Sequence, residues 1–222
     1  MGKISHLAPE EATPLISEYC RLGGLRKDLE RLLACDDHAK TLAQVSYDHA
    51  NSFTKLVIAE SKCGEFRARL HFWPPDEFRE QNIHNHRFAF WSHVIRGTLT
   101  NHVWTTSSAK TNGMFFKYIY KPRLRREHYE MERQRSCGVK SHRSFDKRSG
   151  DTYYFDNITL HSISCSDSPI TLLIEDRRHI RGDADVYCDK DRGAVLSMGS
   201  PSLKLDTYTA LLRKARDVVA TT

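Results

Sequence analysis

The sequence lacks the features that would place it in a membrane or in a disulfide-stabilised fold. No apolar run approaches the roughly 18 residues that a membrane-spanning helix needs. The first residues contain no apolar segment of a secretion signal, and position 6 is His where a myristoylation signal has Ser or Thr. The six cysteines are scattered without a CxxC pair, which favours free thiols in a reducing compartment. We therefore expect a cytoplasmic protein with no membrane partner.

Neither an internal repeat nor a low-complexity linker interrupts the chain, and 222 residues suit a single domain. Hydrophobic residues make up 39% and charged residues 28%. These proportions are typical of a globular chain with a hydrophobic core and exclude a disordered one.

Positive charge is concentrated in one segment. The whole chain carries a formal charge of +6, but residues 117–148 contain eleven Lys and Arg against four acids, a net of +7, so the remainder nets −1. Tyrosines interleave with these cations, as in some nucleic-acid surfaces. Acids lie among them, however, and no zinc-finger, helix-turn-helix or RNP pattern accompanies them. We favour a solvated loop or a lid that attracts an anionic substrate, and we expect no nucleic-acid partner.

Apolar periodicity predicts helices at both ends of a β-rich chain. Residues 8–45 and 202–219 have helical spacing, with Gly23-Gly24 ending the first helix. Short runs of the kind that form a sandwich or barrel lie between about 53 and 176. We expect strands at 53–59, 66–73, 88–96, 98–105, 114–121, 152–155, 159–165 and 169–176. The segment at about 117–149 is predicted as a charged insertion, with a long excursion between strands from about 122.

Three of the twelve histidines have the spacing of metal ligands. His84 and His86 are two residues apart, which on a strand places both imidazoles on one face. His161 ends a strand–turn–strand segment that starts at Gly150. The alternative is that these histidines only pack or face solvent. His71, His93 and His102 have no such spacing, and we expect His93 at the surface or in the barrel wall.

With these residues the chain resembles the cupins, whose motifs are G-x5-HxH-x3–4-E-x6-G and G-x5-PxG-x2-H-x3-N. The matching residues are His84, His86, Gly97, Gly150 and His161. The opening glycine of the first motif is absent, and Phe90 stands where that motif has its acidic ligand. Asp156, Ile158 and Cys165 replace Pro, Gly and Asn of the second motif. The resemblance implies a single cupin domain over residues 1–222, with a double-stranded β-helix between N-terminal helices and a C-terminal helix.

A three-histidine centre without a carboxylate is similar to that of the cupin thiol dioxygenases. The resemblance implies Fe(II), with Ni, Cu or Zn as alternatives, and O2 and a small thiol such as L-cysteine as substrates. The Ser-x-His-x3-Tyr arrangement of those enzymes is missing from residues 174–179, so this chain is a divergent member. A diketone-type dioxygenase, an isomerase or lyase, and a non-catalytic metal-binding or sensing cupin remain alternatives. A homodimer is left open.

Four further side-chain roles are expected around the metal. An amino-acid substrate needs a cation for its carboxylate, and Arg67 or Arg69 would supply it if that face of the strand looks inward. Tyr153 could place a phenol near the metal, although a packing role is the more common one for a strand tyrosine. Phe88 and Phe90 would form an apolar wall. Cys165 is expected to be a small buried residue.

Overall fold

The computed structural model describes residues 7–49, 51, 53–74, 82–107, 114–122, 128–199 and 201–220. The described chain begins with helices α1 (Pro9–Arg21), α2 (Gly24–Leu33) and α3 (Asp36–Ala43) and ends with α4 (Leu205–Val219). The strands between them are β1 (Tyr47–Asp48), β2 (Thr54–Glu60), β3 (Phe66–Phe72), β4 (Ile83–His84), β5 (Ala89–Arg96), β6 (Thr98–Ser107), β7 (Met114–Pro122), β8 (His128–Arg148), β9 (Thr152–Phe155), β10 (Leu160–Ser164), β11 (Ile170–Asp176), β12 (Ala184–Cys188) and β13 (Val195–Gly199). Among the described residues, no helix has the length and apolar character required to cross a membrane.

The strands form two antiparallel sheets with nested pairing. The first has the order β1-β2-β3-β11-β5-β9, and the second has the order β13-β8-β6-β10-β4-β12-β7 with an additional β8–β7 pairing. Strand β3 pairs with β11, β4 with β10, β5 with β9, and β6 with β8. Successive inner pairs thus alternate between the sheets, which is the topology of a jelly roll, or double-stranded β-helix. The predicted fold class is confirmed.

All four helices pack on the outer face of the first sheet. Phe66, Ala68 and Leu70 of β3 belong to one buried cluster with apolar residues of α1, α2, α3 and α4. The Tyr208 hydroxyl of α4 donates a hydrogen bond to the carbonyl of Val57 (2.7 Å), which ties the C-terminal helix to β2. Because strand side chains alternate, the opposite face of β3 looks into the barrel. The charged face of this strand is therefore the inner one.

The prediction of a long charged excursion from about 122 is wrong for most of its length. The described part of this segment forms strands β7 and β8, which pair with each other, and residues 123–127 lie outside the described residues. Several cations remain compatible with strands because they reach acids on neighbouring segments. Lys117 meets Asp185 at 2.8 Å and Arg133 meets Asp191 at 2.8 Å. Strands β12 and β13, beyond residue 176, were not expected either.

The two motif glycines lie where the chain passes from one sheet to the other. Gly97 joins β5 of the first sheet to β6 of the second, and Gly150 joins β8 to β9 in the reverse direction. Both have positive φ, +82° and +91°, a conformation that favours glycine. A Cβ on Gly97 would also lie 3.0 Å from the carboxylate oxygens of Asp167.

Candidate metal centre

The His84–His86 segment is held by the residue between its two histidines. Asn85 is 4% exposed, and its backbone N–H donates to the Asp185 carbonyl at 3.1 Å. Its side-chain oxygen accepts from the Asp185 N–H at 2.7 Å. Strand alternation sends Asn85 toward β12 and turns both imidazoles to the opposite side.

His161 reaches the same point from the other motif. It lies on β10, directly opposite His84 in the antiparallel register of β4 and β10. The candidate ligand atoms of His84, His86 and His161 all lie within 4.8 Å of one another. The fold thus brings together all three residues that the sequence suggested as ligands.

The three imidazoles are electrically neutral because the site is buried. Burial lowers the pKa of His84 to about 4, although its hydrogen bond to the backbone at Asn82 acts in the opposite direction. Burial also lowers the pKa of His86 and of His161 well below the usual value, and protonation of His84 would lower both further. Neutral imidazoles keep a lone pair that a metal ion can take without first displacing a proton.

The donor set fits a metal ion. His84 Nδ1–H donates to the carbonyl of Asn82 at 3.0 Å, which leaves the lone pair on Nε2. The Nε2 atoms of His86 and His161 are 2.8 Å apart. Two nitrogens bound at about 2.0–2.1 Å and at right angles to each other on one ion would be roughly 3 Å apart. The cluster could therefore bind a metal ion through three nitrogens with little rearrangement.

Phenylalanines enclose one side of the cluster. The ring of Phe90 lies 4.8 Å from that of His86, and the ring of Phe88 lies 5.7 Å from it. Phe155 stands 4.8 Å from His161. The apolar wall expected from Phe88 and Phe90 is present, and the sequence analysis missed Phe155 as its third member.

Polar side chains line the part of the barrel interior beside these phenylalanines, where Glu175 is the register partner of Phe90 and the Arg69 guanidinium lies over the Phe88 ring. We call this part the polar wall and define it by Tyr47, Lys55, Arg69, His71 and Glu175. Arg69 and Glu175 form an ion pair at 2.5 Å, with side chains 8% and 1% exposed. Burial lowers the pKa of Lys55, and this ammonium also lowers the pKa of His84 and His86. The polar wall and the three histidines therefore share one interior.

The two candidate arginines differ in their surroundings. Arg69 belongs to the polar wall, whereas Arg67 pairs with Glu60 at 2.8 Å near the end of the strand. Tyr153 is buried among apolar side chains, and its ring contacts Phe155 at 5.6 Å. Catalytic roles for Arg67, Arg69 and Tyr153 stay predictions.

Four other side chains considered in the sequence analysis lie either in the wall of the barrel or in its interior. His102 lies between Ser144 and Ser164 at 2.8 and 2.7 Å, and His93 contacts Thr152 at 2.8 Å, so neither points at the cluster. The Cys165 thiol is buried and donates to the carbonyl of Pro74 at 3.5 Å. His71, for which the sequence suggested no ligand role, faces the interior beside Lys55.

Lys55 and Glu175 were missed although the sequence contains a signal for each. Lys55 is a single cation in the apolar run of β2, and Glu175 ends the apolar run of β11. A charge within such a run has to be paired or has to face a polar interior. Tyr47 carries no comparable signal, because strand β1 is only two residues long.

Comparisons with known proteins add little. Neither a protein-family model nor a curated protein matches the chain. A cupin-like protein of Thermotoga maritima is 10% identical over 74% of this chain and 85% of its own, with a TM-score of 0.29. A protein of Shewanella oneidensis is 9% identical over 84% and 94%, with a TM-score of 0.28. An 11S globulin of Wrightia tinctoria, described with an auxin-binding site, is 10% identical over 80% of this chain and 37% of its own, with a TM-score of 0.23.

Identities of 9–10% and TM-scores of 0.23–0.29 carry no argument about this chain. The description of the protein therefore depends on its strand pairing and on the three-histidine cluster. Together they define a jelly-roll protein with a cluster of three histidines, one buried and two partly buried, that could bind a metal ion. This arrangement is compatible with a metal-dependent cupin.

Proposed function

We propose that the protein is a non-haem iron cupin oxygenase that uses O2 to oxidise a small thiol-containing amino acid such as L-cysteine. The observation that carries this proposal is the convergence of His84, His86 and His161, with no carboxylate in the same cluster among the described residues. Three neutral ligands leave a divalent ion its full charge and several open positions. A chelating substrate and O2 both require such positions.

The chain's own groups would hold the ion, exclude water and receive the substrate. Bound Fe(II) would supply redox chemistry toward O2 and would favour the thiolate of a coordinated thiol. Phe88, Phe90 and Phe155 would keep water away from one side of the cluster. The substrate carboxylate would face the polar wall, where Arg69 is the nearer of the two arginines proposed from the sequence.

The test starts from protein loaded with Fe(II) under anaerobic conditions and measures O2 consumption after L-cysteine is added. We expect uptake that needs both Fe(II) and cysteine. His161→Ala should abolish metal retention and O2 uptake together. His102→Ala, which removes an imidazole outside the cluster, should leave both unchanged.

Other outcomes would assign other functions. Uptake with a β-diketone but with no thiol would identify a non-thiol three-histidine dioxygenase. Stoichiometric metal with no O2 uptake across thiols and diketones would contradict the oxygenase and favour an isomerase, a lyase or a sensing protein. Full metal occupancy in His161→Ala would refute the ligand assignment. Metal analysis of protein from its native host would distinguish Fe from Ni, Cu and Zn.

A further inference from the structure

Three polar side chains lie side by side across neighbouring strands of the polar wall. Tyr47 on β1 is the register partner of Lys55 on β2, and Lys55 is the register partner of His71 on β3. Directly opposed residues of antiparallel strands have Cβ atoms about 4.5–5.5 Å apart. The phenol, the ammonium and the imidazole therefore form one row on the inner face of the first sheet.

The cation in this row lies against two aromatic rings. The Lys55 ammonium lies over the rings of Phe53 and Tyr47, at 5.3 and 5.7 Å from their centroids, and hydrogen-bonds to the Tyr47 phenol. No carboxylate among the described residues forms an ion pair with it, whereas Arg69 is already paired with Glu175. The polar wall thus carries one uncompensated positive charge, which is costly inside a protein.

The imidazole in this row is buried and forms no hydrogen bond with any described residue. His71 is 4% exposed, and neither of its ring nitrogens has a hydrogen-bond partner among the described residues. Its ring is fixed between Phe53 at 5.0 Å and Trp73 at 5.7 Å. Buried polar atoms nearly always have partners, so a donor aimed into a shared interior indicates a ligand group there.

We propose that Lys55, flanked by Tyr47 and His71, binds the carboxylate of the molecule that occupies the three-histidine site. This inference rests on the proposed function and assigns the substrate's anionic group to a lysine that the sequence motifs do not include. Arg69 then has a positioning role, because its charge is neutralised by Glu175.

The balance of charge selects a monoanion. Lys55 contributes a single net positive charge to the polar wall, because Arg69 and Glu175 compensate each other. The Tyr47 hydroxyl and one His71 N–H can each donate to a planar carboxylate. A phosphate dianion would leave one charge uncompensated, so we expect the row to favour a carboxylate over phosphate.

Titration calorimetry of the full-length, metal-free chain tests the subsite without any catalytic step. Propionate is the probe, propionamide is its neutral analogue, and inorganic phosphate is the dianion. We expect propionate to bind more tightly than phosphate and propionamide not to bind. Lys55→Met should weaken propionate binding at least about tenfold, which corresponds to the loss of one charged hydrogen bond. Lys62→Met, at an exposed lysine in the turn after β2, should stay within twofold of the native chain.

A folded Lys55→Met chain that keeps propionate affinity within twofold would overturn the proposal, as would equal binding of propionamide. If Lys55→Met fails to fold, Tyr47→Phe retains the ring, removes only the hydroxyl and should weaken propionate binding about threefold. An unchanged propionate affinity in Tyr47→Phe would show that the Tyr47 hydroxyl does not contact the carboxylate and would overturn the proposal. Absent propionate binding beside normal O2 uptake would reject the subsite and keep the oxygenase. Propionate binding without O2 uptake would support the subsite and reject the oxygenase.

Discussion

Arg69 and Glu175 illustrate how single residues determine the character of this barrel. Both side chains are nearly inaccessible to solvent, and Arg69 lies 2.5 Å from Glu175, whereas a further cation, Arg177, lies 3.8 Å from Glu175. A buried ion pair adds little net stability when intact, because desolvation offsets the attraction between its members. Loss of one member is much more damaging, since it leaves an uncompensated charge in the interior.

We therefore predict that Arg69→Met lowers the free energy of unfolding by about 3–5 kcal/mol, measured by urea denaturation. The double variant Arg69→Met, Glu175→Leu should recover most of this loss because it removes both charges. Arg26→Met is the control, since Arg26 pairs with Glu30 on the surface of α2 at side-chain exposures of 49% and 46%. Its cost should stay below about 1 kcal/mol. An Arg69→Met chain as stable as the native one would disprove the account.

The burial of His71 should make the free energy of unfolding depend on pH. Burial is the main reason that its pKa lies well below the ordinary value of 6.5, and the charges on Lys55 and Arg69 add to it. Below about pH 6.5 the unfolded chain takes up a proton that the folded chain does not bind. The stabilisation is thus complete above that pH and decreases as the pH falls toward the folded-state pKa.

In the acid range, the free energy of unfolding should depend less steeply on pH in His71→Phe than in the native chain. The difference in slope should be about 1.4 kcal/mol per pH unit, the value for one proton. Urea denaturation between pH 7 and pH 5 measures it. Parallel curves for His71→Phe and the native chain would contradict the burial argument.

At the scale of elements, the junctions between the sheets depend on glycine. Gly97 has a positive φ, and a Cβ there would approach Asp167 and Pro169 at 3.0 Å. Asp167 cannot move freely, because its carboxylate accepts a hydrogen bond from the backbone of Thr98 at 3.2 Å. Gly150 has a similar φ but nothing within 4 Å of the position that a Cβ would occupy.

Gly150→Ala should therefore cost only backbone strain, of the order of 1–3 kcal/mol. Gly97→Ala should cost more, because the same strain is combined with a steric clash. Thermal or urea unfolding of the two variants gives the comparison directly. Equal losses would show that the contact with Asp167 is relieved without cost.

Apolar periodicity predicted the strands and helices well where one face of the element packs against a hydrophobic core. It predicted them poorly where many charged side chains interrupt the apolar alternation. The alternation in Phe66–Trp73 identified β3, but only the cover of α-helices determined which of its faces points inward. Strand β8 was missed because its cations are neutralised by acids distant in sequence, such as Asp191 for Arg133. The spacing of the histidines located the candidate site. The polar wall required knowledge of register, since Lys55 and His71 become neighbours only through the pairing of β2 and β3.

At the scale of the whole molecule, the excess positive charge belongs to strands β7 and β8. Some of these cations form ion pairs, including Lys117 with Asp185, while others such as Arg135 and Lys140 are exposed. The absence of nucleic-acid binding stays a prediction, and a homodimer stays open.

We predict that the protein elutes from immobilised DNA at low salt and has a shallow dependence of affinity on salt concentration, because acids such as Glu130, Glu132 and Asp146 lie among the cations and repel phosphate. Filter binding at several salt concentrations measures the slope. Arg135→Gln with Lys140→Gln should change it little. A steep slope that these substitutions reduce would establish a nucleic-acid surface on β8.

Because His84 and His161 are register partners on β4 and β10, the complete three-histidine cluster forms only after these two strands have paired. The two residues meet only when β4 and β10 pair, and nested pairing of this kind closes a long loop of intervening chain. Contacts between residues distant in sequence form slowly, since the entropy of loop closure is lost before the contact stabilises the chain. A partly folded chain therefore has one histidine pair and no third ligand. Metal acquisition should follow folding in time and should not guide it.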